Sequence, residues 1–331
     1  MAGEAASSPG RLVAVVFNPQ SGAARTGEVS ARRRAIRAAL AKHESRALWF
    51  ETTPLDPGHG WVKRALAAGA ELVLACGGDG TVMACAAALT GTAAPLAVIP
   101  CGTGNIIAAS LNLPVGVPEA VQTALHGDHL TIDIGLSGAG VPFFATSIGF
   151  GAAVMRDATP GWKRRAGMFA YLLSASRHVF DPPRTFRVWL DDQLPIIRRS
   201  HGILVGNFGE LMSQPRLPRT ALDDGVLEVG ILTVRPLLDW VRRDHAVVPT
   251  RRPPPLDWHQ ATRIRVTCDV PQPTERDGDF TGLSEHLRAS VLASSLTVCV
   301  SQRSVNVIAR RRLIHLLAHD VRRLMPWPRI G

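Results

Sequence analysis

The stretch with the clearest chemical potential is Gly77-Gly78-Asp79-Gly80-Thr81. The apolar run Leu72–Ala75 before it predicts a buried strand, and the run Val82–Leu89 after it predicts a helix. Glycine lets backbone N–H groups approach a bound group closely, and a helix start adds unpaired donors and a positive dipole end. The spacing therefore predicts a loop that cradles phosphate.

Asp79 constrains what this loop can bind. A carboxylate repels a bare phosphate, so its position makes sense if a Mg²⁺ ion or a ribose hydroxyl lies between the two groups. The alternative is a tight glycine turn in which Asp79 only caps the helix. Because the five residues stand together between a predicted strand and a predicted helix, we favour the functional interpretation.

Two further loops rich in turn-forming residues also follow predicted strands. Asn18–Gly22 follows Leu12–Phe17, and Pro100–Asn105 follows Pro95–Ile99. Strands that alternate with helices predict a doubly wound parallel sheet, in which ligands bind outside the carboxyl ends of the strands. All three loops fall at those ends, so the sequence predicts a single nucleotide crevice.

The other elements of the first part are a helix over Thr26–Lys42, a strand over Ala47–Phe50 and a helix near Gly60–Ala68. The first of these helices has an apolar stripe and a cluster of arginines on its other faces: Arg32, Arg33, Arg34 and Arg37. We expect this cluster to be solvated.

Beyond residue 134 the pattern changes from alternating elements to successive strands, which predicts a β-rich second domain. The predicted strands are Phe143–Ile148, Thr185–Leu190, Ile196–Val205, Val226–Thr233, Arg263–Cys268 and Ser295–Val300. Trp162–Val179 predicts a helix, and Val305–Leu324 predicts a basic amphipathic helix. The predicted domains are therefore 1–134, 135–300 and a C-terminal helical segment at 301–331.

Composition restricts the class of protein and of partner. The chain has 331 residues, a hydrophobic content of 46% and a formal net charge of +10, which favours a globular protein with anionic partners. No nucleic-acid-binding motif is present, so we expect no nucleic-acid partner. The five cysteines lack C-x-x-C spacing and predict reduced, buried residues of a cytosolic protein. We also expect no signal peptide and no transmembrane segment.

In their order and spacing, these motifs resemble those of the diacylglycerol kinase catalytic-domain family, which includes sphingosine kinases and bacterial lipid kinases. The resemblance covers Arg11–Val300, and its carriers are the three loops together with Leu222-Asp223-Asp224-Gly225 and Asp277-Gly278-Asp279. It implies a doubly wound α/β nucleotide domain similar to NAD kinase and phosphofructokinase. It also implies a β-sandwich-like domain that accepts a lipid, with ATP in the cleft between the two.

Carried over position by position, the resemblance implies two binding sets. The ATP site would be lined by Asn18, Ser21, Gly22, Thr52, Gly77, Gly78, Asp79, Gly80, Thr81, Gly102 and Thr103. Mg²⁺ would be held by Asp224 with the carbonyls of Ala221 and Val226, and such oxygen ligands suit this ion. The same Asp-Gly sequence is also typical of a hairpin turn, and both interpretations can hold together.

The catalytic roles implied by the resemblance fall on Asp79 and Asp279, the latter as the general base that accepts the proton of the lipid hydroxyl. Asp277 would shape the turn. Two positions differ from the family pattern: Ile106 stands where an aspartate is usual, and Asp279 stands where a glutamate is usual. Asp279 keeps the carboxylate but shortens its reach by one methylene.

The leading interpretation is an ATP- and Mg²⁺-dependent kinase that phosphorylates a lipid hydroxyl. NAD kinase is an alternative because it shares Gly77–Thr81, although Gly102-Thr103-Gly104-Asn105 lacks the residue order of that family. A catalytically weak lipid- or nucleotide-binding protein is a third. The acceptor stays open among diacylglycerol, a sphingoid base, a polyprenol and a glycolipid.

The expected location is the cytoplasm, with peripheral contact at the inner face of an anionic membrane. The basic helix over Val305–Leu324 could supply that contact, or it could pack its apolar face on the nucleotide domain. Whether the chain forms a homodimer stays open.

Overall fold

The computed structural model describes residues 11–22, 26–102, 105–157, 176–178, 180–208, 221–233 and 256–309. The helices are α1 (Thr26–Lys42), α2 (His59–Ala67), α3 (Asp79–Leu89), α4 (Ile106–Ser110), α5 (Val117–His126) and α6 (Phe150–Asp157). The strands are β1 (Leu12–Phe17), β2 (Arg46–Glu51), β3 (Leu72–Gly77), β4 (Leu96–Pro100), β5 (Asp128–Ser137), β6 (Pro142–Phe143), β7 (Ala145–Gly149), β8 (Arg184–Leu190), β9 (Ile196–Ser200), β10 (Gly202–Gly206), β11 (Leu227–Leu232), β12 (Leu256–Ala261), β13 (Arg263–Arg276) and β14 (Asp279–Val300).

The first part of the chain forms the predicted parallel sheet, in the order β2-β1-β3-β4. Alternate residues of β1 enter two different cores. Ala14 and Val16 pack with α2 and α3, whereas Val13 and Val15 pack with α1 and α5. Both faces of the sheet are therefore covered, and this explains the continuous apolar run that the sequence shows at this strand.

Two antiparallel strands join this sheet to the strand-rich second part. β14 lies parallel to β4 through Val298 and Leu96, and it pairs antiparallel with β5 and β13. Residues near the end of β14, such as Leu296, belong to the first core, whereas Leu287 belongs to the second. The domain boundary that we predicted after residue 134 falls inside β5, so this connection is a continuous strand.

In the second part, two predicted strands are each divided into two shorter ones. Phe143–Ile148 is broken at Phe144, because the amides of Phe144 and Ala145 donate to a side chain instead of the ladder. Ile196–Val205 is broken at His201, where pairing passes from β8 to β7 and β11. Neither break is visible in the local pattern of apolar residues in the sequence.

The β13–β14 hairpin is much longer than the sequence predicted. We expected strands only over Arg263–Cys268 and Ser295–Val300, but pairing extends to the turn at Asp277 and Gly278. The extra length is polar and partly exposed, which weakened the strand pattern. Helix α5 and strand β12 were not predicted. The predicted helix over Trp162–Val179 lies outside the described residues except for 176–178, which are helical.

The start of the predicted C-terminal helix packs on the first core. Residues 302–309 are helical, Val305 and Ile308 contact the core beside α3, and Ser304 donates to the Asn112 carbonyl at 2.9 Å. The rest of the segment lies outside the described residues. Within those described, no helix has the length and apolarity needed to cross a bilayer.

Candidate active site

The structure brings the three predicted loops together at the carboxyl ends of β1, β3 and β4. In chain order, the first loop is Asn18–Gly22, the second is Gly77–Thr81 and the third is Pro100–Asn105. The side-chain amide of Asn18 donates to the Thr81 hydroxyl at 2.9 Å, and this bond joins the first loop to the second. Thr52 is placed beside them, because its amide donates to the Phe17 carbonyl at 3.0 Å. The parallel register therefore achieves the convergence that the sequence analysis expected.

The second and third loops touch through their backbones. A Cβ atom placed on Gly102 would lie 2.6 Å from the Cα of Gly78, closer than real contacts allow. A Cβ on Gly77 would lie 2.5 Å from the Cβ of Thr81. Glycine is thus required at these positions by packing within the chain, whatever else binds there.

Gly80 differs from its neighbours in the same loop. A Cβ at this position would meet no described atom within 4 Å, and the residue is exposed at the start of α3. Packing among the described residues therefore gives no reason for glycine here. A ligand that approaches the helix N-terminus closely does give one.

Asp79 ties the second and third loops together. Its carboxylate accepts the backbone amide of Asn105 at 2.8 Å. The Asn105 side chain in turn accepts the Gly102 amide at 2.9 Å and donates to the Gly102 carbonyl at 2.7 Å. Gly78 is the N-cap residue of α3, and the Asp79 bond to Asn105 reaches a residue outside this helix. The structure therefore does not support the alternative in which Asp79 only caps α3.

Of the remaining residues of the predicted ATP set, two shape the first loop and one lies outside the described residues. Ser21 is buried and donates to the Asn18 carbonyl at 3.1 Å, whereas Gly22 adopts a left-handed φ of 74°. Both residues thus shape the first loop. Thr103 lies outside the described residues.

The predicted metal residues form a compact turn before β11. The Asp224 carboxylate accepts the amides of Ala221 and Val226, at 3.0 and 3.3 Å. Burial raises the pKa of Asp224, and the negative charges of Asp133 and Asp223 contribute to the rise. A cation held beside Asp224 would relieve this repulsion.

Beneath this turn lies Asp133, a residue that the sequence analysis did not assign to the site. Asp133 is 1% exposed, and its carboxylate accepts the amides of Gly225 at 2.6 Å and Ser294 at 2.7 Å. It thereby fixes the metal turn to β14. An acidic residue inside the apolar run Ile132–Ile134 was the available signal.

A second buried carboxylate, that of Glu228, lies near the same turn. Glu228 follows the turn in β11 and accepts the Phe208 amide at 2.9 Å. Burial raises its pKa to about 8, and the charge of Asp224 acts in the same direction. Glu228 therefore retains its proton near neutral pH, which limits the negative charge around the proposed metal residues.

The turn region of the β13–β14 hairpin carries three carboxylates with different surroundings. Glu275 accepts the Gly278 amide at 2.9 Å, and Asp277 accepts the amides of Phe144 and Ala145, both at 2.9 Å. Asp279 is exposed, and among the described residues its carboxylate has no hydrogen-bond partner. The geometry thus assigns Glu275 and Asp277 to the shape of the turn and leaves Asp279 available to a substrate.

Asp277 should make the stability of the protein depend on pH. Burial raises its pKa from 3.8 to about 7, although the two backbone amides oppose the shift. An acid with a raised folded-state pKa contributes stability below its unfolded pKa and loses it as pH rises towards the folded value. The free energy of unfolding should therefore fall between about pH 4 and pH 7, and Asp277→Asn should reduce this slope.

The measurement is urea unfolding of both proteins at several pH values. Glu285→Gln, which removes an exposed carboxyl from the same hairpin, is the matched control and should keep the wild-type slope. A slope that Asp277→Asn leaves unchanged would contradict the assignment. Some slope will persist in that variant because the pKa of Glu228 is also raised.

The residues present fit both groups that the sequence predicted. The open backbone at Gly80 and the paired glycine loops fit a phosphate chain, which needs backbone donors and close approach. The Asp224 carboxylate and the neighbouring carbonyls are oxygen donors of the kind that Mg²⁺ prefers. No cluster of three or more His, Cys, Asp or Glu side chains suited to a metal occurs within the described ranges.

Comparisons with known proteins agree with this arrangement. The family model of the diacylglycerol kinase catalytic domain matches residues 12–137. The probable lipid kinase YegS-like of Pseudomonas syringae pv. syringae is 32% identical over 182 residues, which are 52% of this chain and 57% of that relative. The chain spans 24 to 62% of the length of the curated relatives that it matches.

Two solved structures share the fold. A diacylglycerol kinase of Bacillus anthracis str. Sterne has a TM-score of 0.63 at 18% identity, over 89% of this chain and 98% of that one. An NAD kinase of Archaeoglobus fulgidus in complex with ATP has a TM-score of 0.53 at 11% identity, over 91% and 98% of the two chains. The predicted architecture, an α/β part followed by a strand-rich part, is confirmed. Residues 12–137 thus match the diacylglycerol kinase catalytic domain, and the chain shares the fold of a solved diacylglycerol kinase structure.

Proposed function

We propose that the protein is an ATP-dependent kinase that transfers the γ-phosphoryl group to the hydroxyl of a lipid. The observation that carries this proposal is the joining of three glycine-containing loops through Asn18, Asp79 and Asn105. The match to the diacylglycerol kinase catalytic domain and the similarity to a probable lipid kinase support it. The bond network gives the loops one fixed arrangement, as positioning of a triphosphate requires.

In this proposal, ATP supplies the phosphoryl group and Mg²⁺ neutralises the charge that develops on it. The chain contributes orientation and proton transfer. The backbone at Gly78, Gly80 and Gly102 admits the phosphates, and Asp79 keeps the second and third loops in register. Asp279 accepts the proton of the lipid hydroxyl, which is a poor nucleophile at neutral pH.

The metal would be held by Asp224 with the carbonyls of Ala221 and Val226. Asp133 would hold that turn in place from below, because it binds the Gly225 amide. Asp133 thus acts on the metal residues through the backbone.

The direct test incubates the purified chain with γ-labelled ATP, Mg²⁺ and a panel of diacylglycerol, sphingoid base, polyprenol and glycolipid. Label in an extractable lipid supports the proposal, and the labelled species identifies the acceptor. A parallel incubation supplies NAD as the acceptor, and label in NADP would instead support the NAD kinase alternative, which rests on the shared fold. Binding of ATP without transfer to any acceptor would favour a binding protein, in line with Ile106 at the position where the family usually has an acid.

We also propose a peripheral contact with anionic membrane through the basic segment after residue 309. Val305 and Ile308 pack on the core, so a truncation for this test should end at Ala309 and leave them in place. Each lysine or arginine near an anionic surface is worth about 1 kcal/mol, and the removed segment includes Arg310, Arg311 and Arg312.

Sedimentation with vesicles that contain phosphatidylserine should therefore recover the full chain but little of the truncated one. Neutral phosphatidylcholine vesicles are the control and should recover little of either. Equal recovery of the two proteins on anionic vesicles would reject the membrane role of this segment.

A further inference from the structure

Two cysteines meet at the base of the candidate nucleotide site. Cys76 lies in β3 directly before the second loop, and Cys101 follows β4 at the start of the third loop. Their sulfur atoms are 3.6 Å apart, and the Cys101 amide donates to the Gly77 carbonyl at 2.8 Å. The sequence places these residues 25 positions apart and gives no sign of the pairing.

The two thiols have different access to solvent. Cys76 is fully buried, whereas Cys101 is partly exposed, so a small oxidant in solution reaches Cys101 first. The other three cysteines, Cys85, Cys268 and Cys299, are buried and free. The predicted burial of the cysteines holds for these three and for Cys76, but it does not extend to Cys101.

Arg32 of α1 adds positive charge beside the pair. Its Nη1 atom is buried and has no hydrogen-bond partner among the described residues. The hydrogen bond between the thiols lowers the pKa of Cys101 and raises that of Cys76, and the charge of Arg32 lowers both. Cys101 therefore has more thiolate character and is the reactive member.

We propose that Cys76 and Cys101 form a redox-modification site, which a peroxide converts to a disulfide that displaces the third loop. The Cys101 thiolate attacks one peroxide oxygen, the O–O bond breaks, and the released hydroxide takes up a proton to give water. Cys101 is then a sulfenic acid. The Cys76 sulfur displaces its hydroxyl, the S–S bond forms, and a second water leaves with the Cys76 proton. Two electrons pass from the thiols to the peroxide.

The disulfide can form only if the backbone near the two cysteines moves, and the packing around them leaves little space for that movement. A disulfide is about 2.05 Å long, so the sulfurs must approach by about 1.6 Å from their separation of 3.6 Å. Cys76 is held inside the sheet by both neighbouring strands, and Cys101 lies after the end of β4. Cys101 and Gly102 must therefore move. Because the backbone of Gly102 already contacts Gly78, this movement displaces the third loop.

The test uses the full chain. Reduced protein is treated with hydrogen peroxide, free thiols are alkylated, and a digest without reductant is analysed by mass spectrometry. We expect a Cys76–Cys101 linked peptide that dithiothreitol removes. No link in the folded protein would overturn the proposal, as would Cys101 oxidised to sulfinic acid while Cys76 stays alkylatable.

Variants separate the pair from general oxidation. Cys101→Ala should abolish the link, whereas the matched control Cys268→Ser, which removes a buried cysteine of β13, should retain it. Arg32→Gln should slow formation of the link by up to about tenfold, because it removes the neighbouring positive charge. A link that forms at the wild-type rate in Arg32→Gln would overturn the role of Arg32.

Displacement of the loop has its own readout. The Gly102 and Asn105 amides donate to Asn105 and Asp79 side chains, so their hydrogen exchange should speed up several-fold on oxidation. Unchanged exchange in the linked protein would overturn the displacement. Loss of affinity for a fluorescent ATP analogue on oxidation is also expected, and this part rests on the proposed function. A reduced protein that never binds the analogue would reject that function and leave the link and exchange results standing.

Discussion

Replacing Asp79 with asparagine should lower kcat/KM for lipid phosphorylation by about 10² to 10³-fold, while the chain still folds. The structure explains why the substitution should reduce activity without preventing folding. The Asp79 carboxylate accepts the Asn105 amide at 2.8 Å, and an asparagine oxygen can accept the same bond. The substitution therefore removes the negative charge at the crevice and keeps the tie between the loops.

Asp79→Ala removes both the charge and the bond. It should lose the same activity and, in addition, about 1 kcal/mol of stability, the usual contribution of one such hydrogen bond. Thermal unfolding and initial rates with labelled ATP measure the two effects. The matched control is Glu119→Gln, in the first turn of α5, which should keep the wild-type rate. Near-normal rates for Asp79→Asn at saturating Mg²⁺ would contradict the catalytic assignment.

Asp279→Asn should lower kcat by about 10² to 10⁴-fold with little change in affinity for ATP. Among the three carboxylates near the hairpin turn, those of Glu275 and Asp277 already accept backbone amides. Asp279 is exposed at the start of β14, so its carboxylate is free to meet a hydroxyl. Asparagine keeps the size of the side chain and removes the basic oxygen.

The control for this experiment is Glu285→Gln, which neutralises an exposed acid in the same strand and should leave kcat unchanged. Titration with a fluorescent ATP analogue measures the affinity separately from the rate. Normal turnover by Asp279→Asn would place the general base elsewhere. Asp279→Glu, which restores the longer acid that the family usually has, should retain activity and so separates loss of the base from a change of shape.

The sequence alone determined the elements around the nucleotide crevice. Continuous apolar runs indicated β1, β3 and β4, because a strand covered on both faces carries apolar residues at every position. Glycine and asparagine marked the loops that follow. Since the ends of parallel strands meet at one edge, local sequence was sufficient to predict that these loops converge.

The sequence was less informative where polar residues form long strands. The inner half of the β13–β14 hairpin lacks an apolar pattern, and it was predicted as loop although it is paired up to the turn at Asp277. At the breaks at Phe144 and His201, several hydrogen bonds join residues that are more than 50 positions apart in the sequence. Such partners leave no local signal.

What the tertiary structure decided is the distribution of charge and burial among similar residues. The sequence shows Asp277 and Asp279 two positions apart, but only the fold partly buries the first against Phe144 and exposes the second. In the same way, only the fold places Asp133 under the metal turn and Cys76 beside Cys101. The sequence specifies periodic elements because periodicity is local. Burial and reactivity depend on contacts between distant segments, and these exist only after the chain has folded.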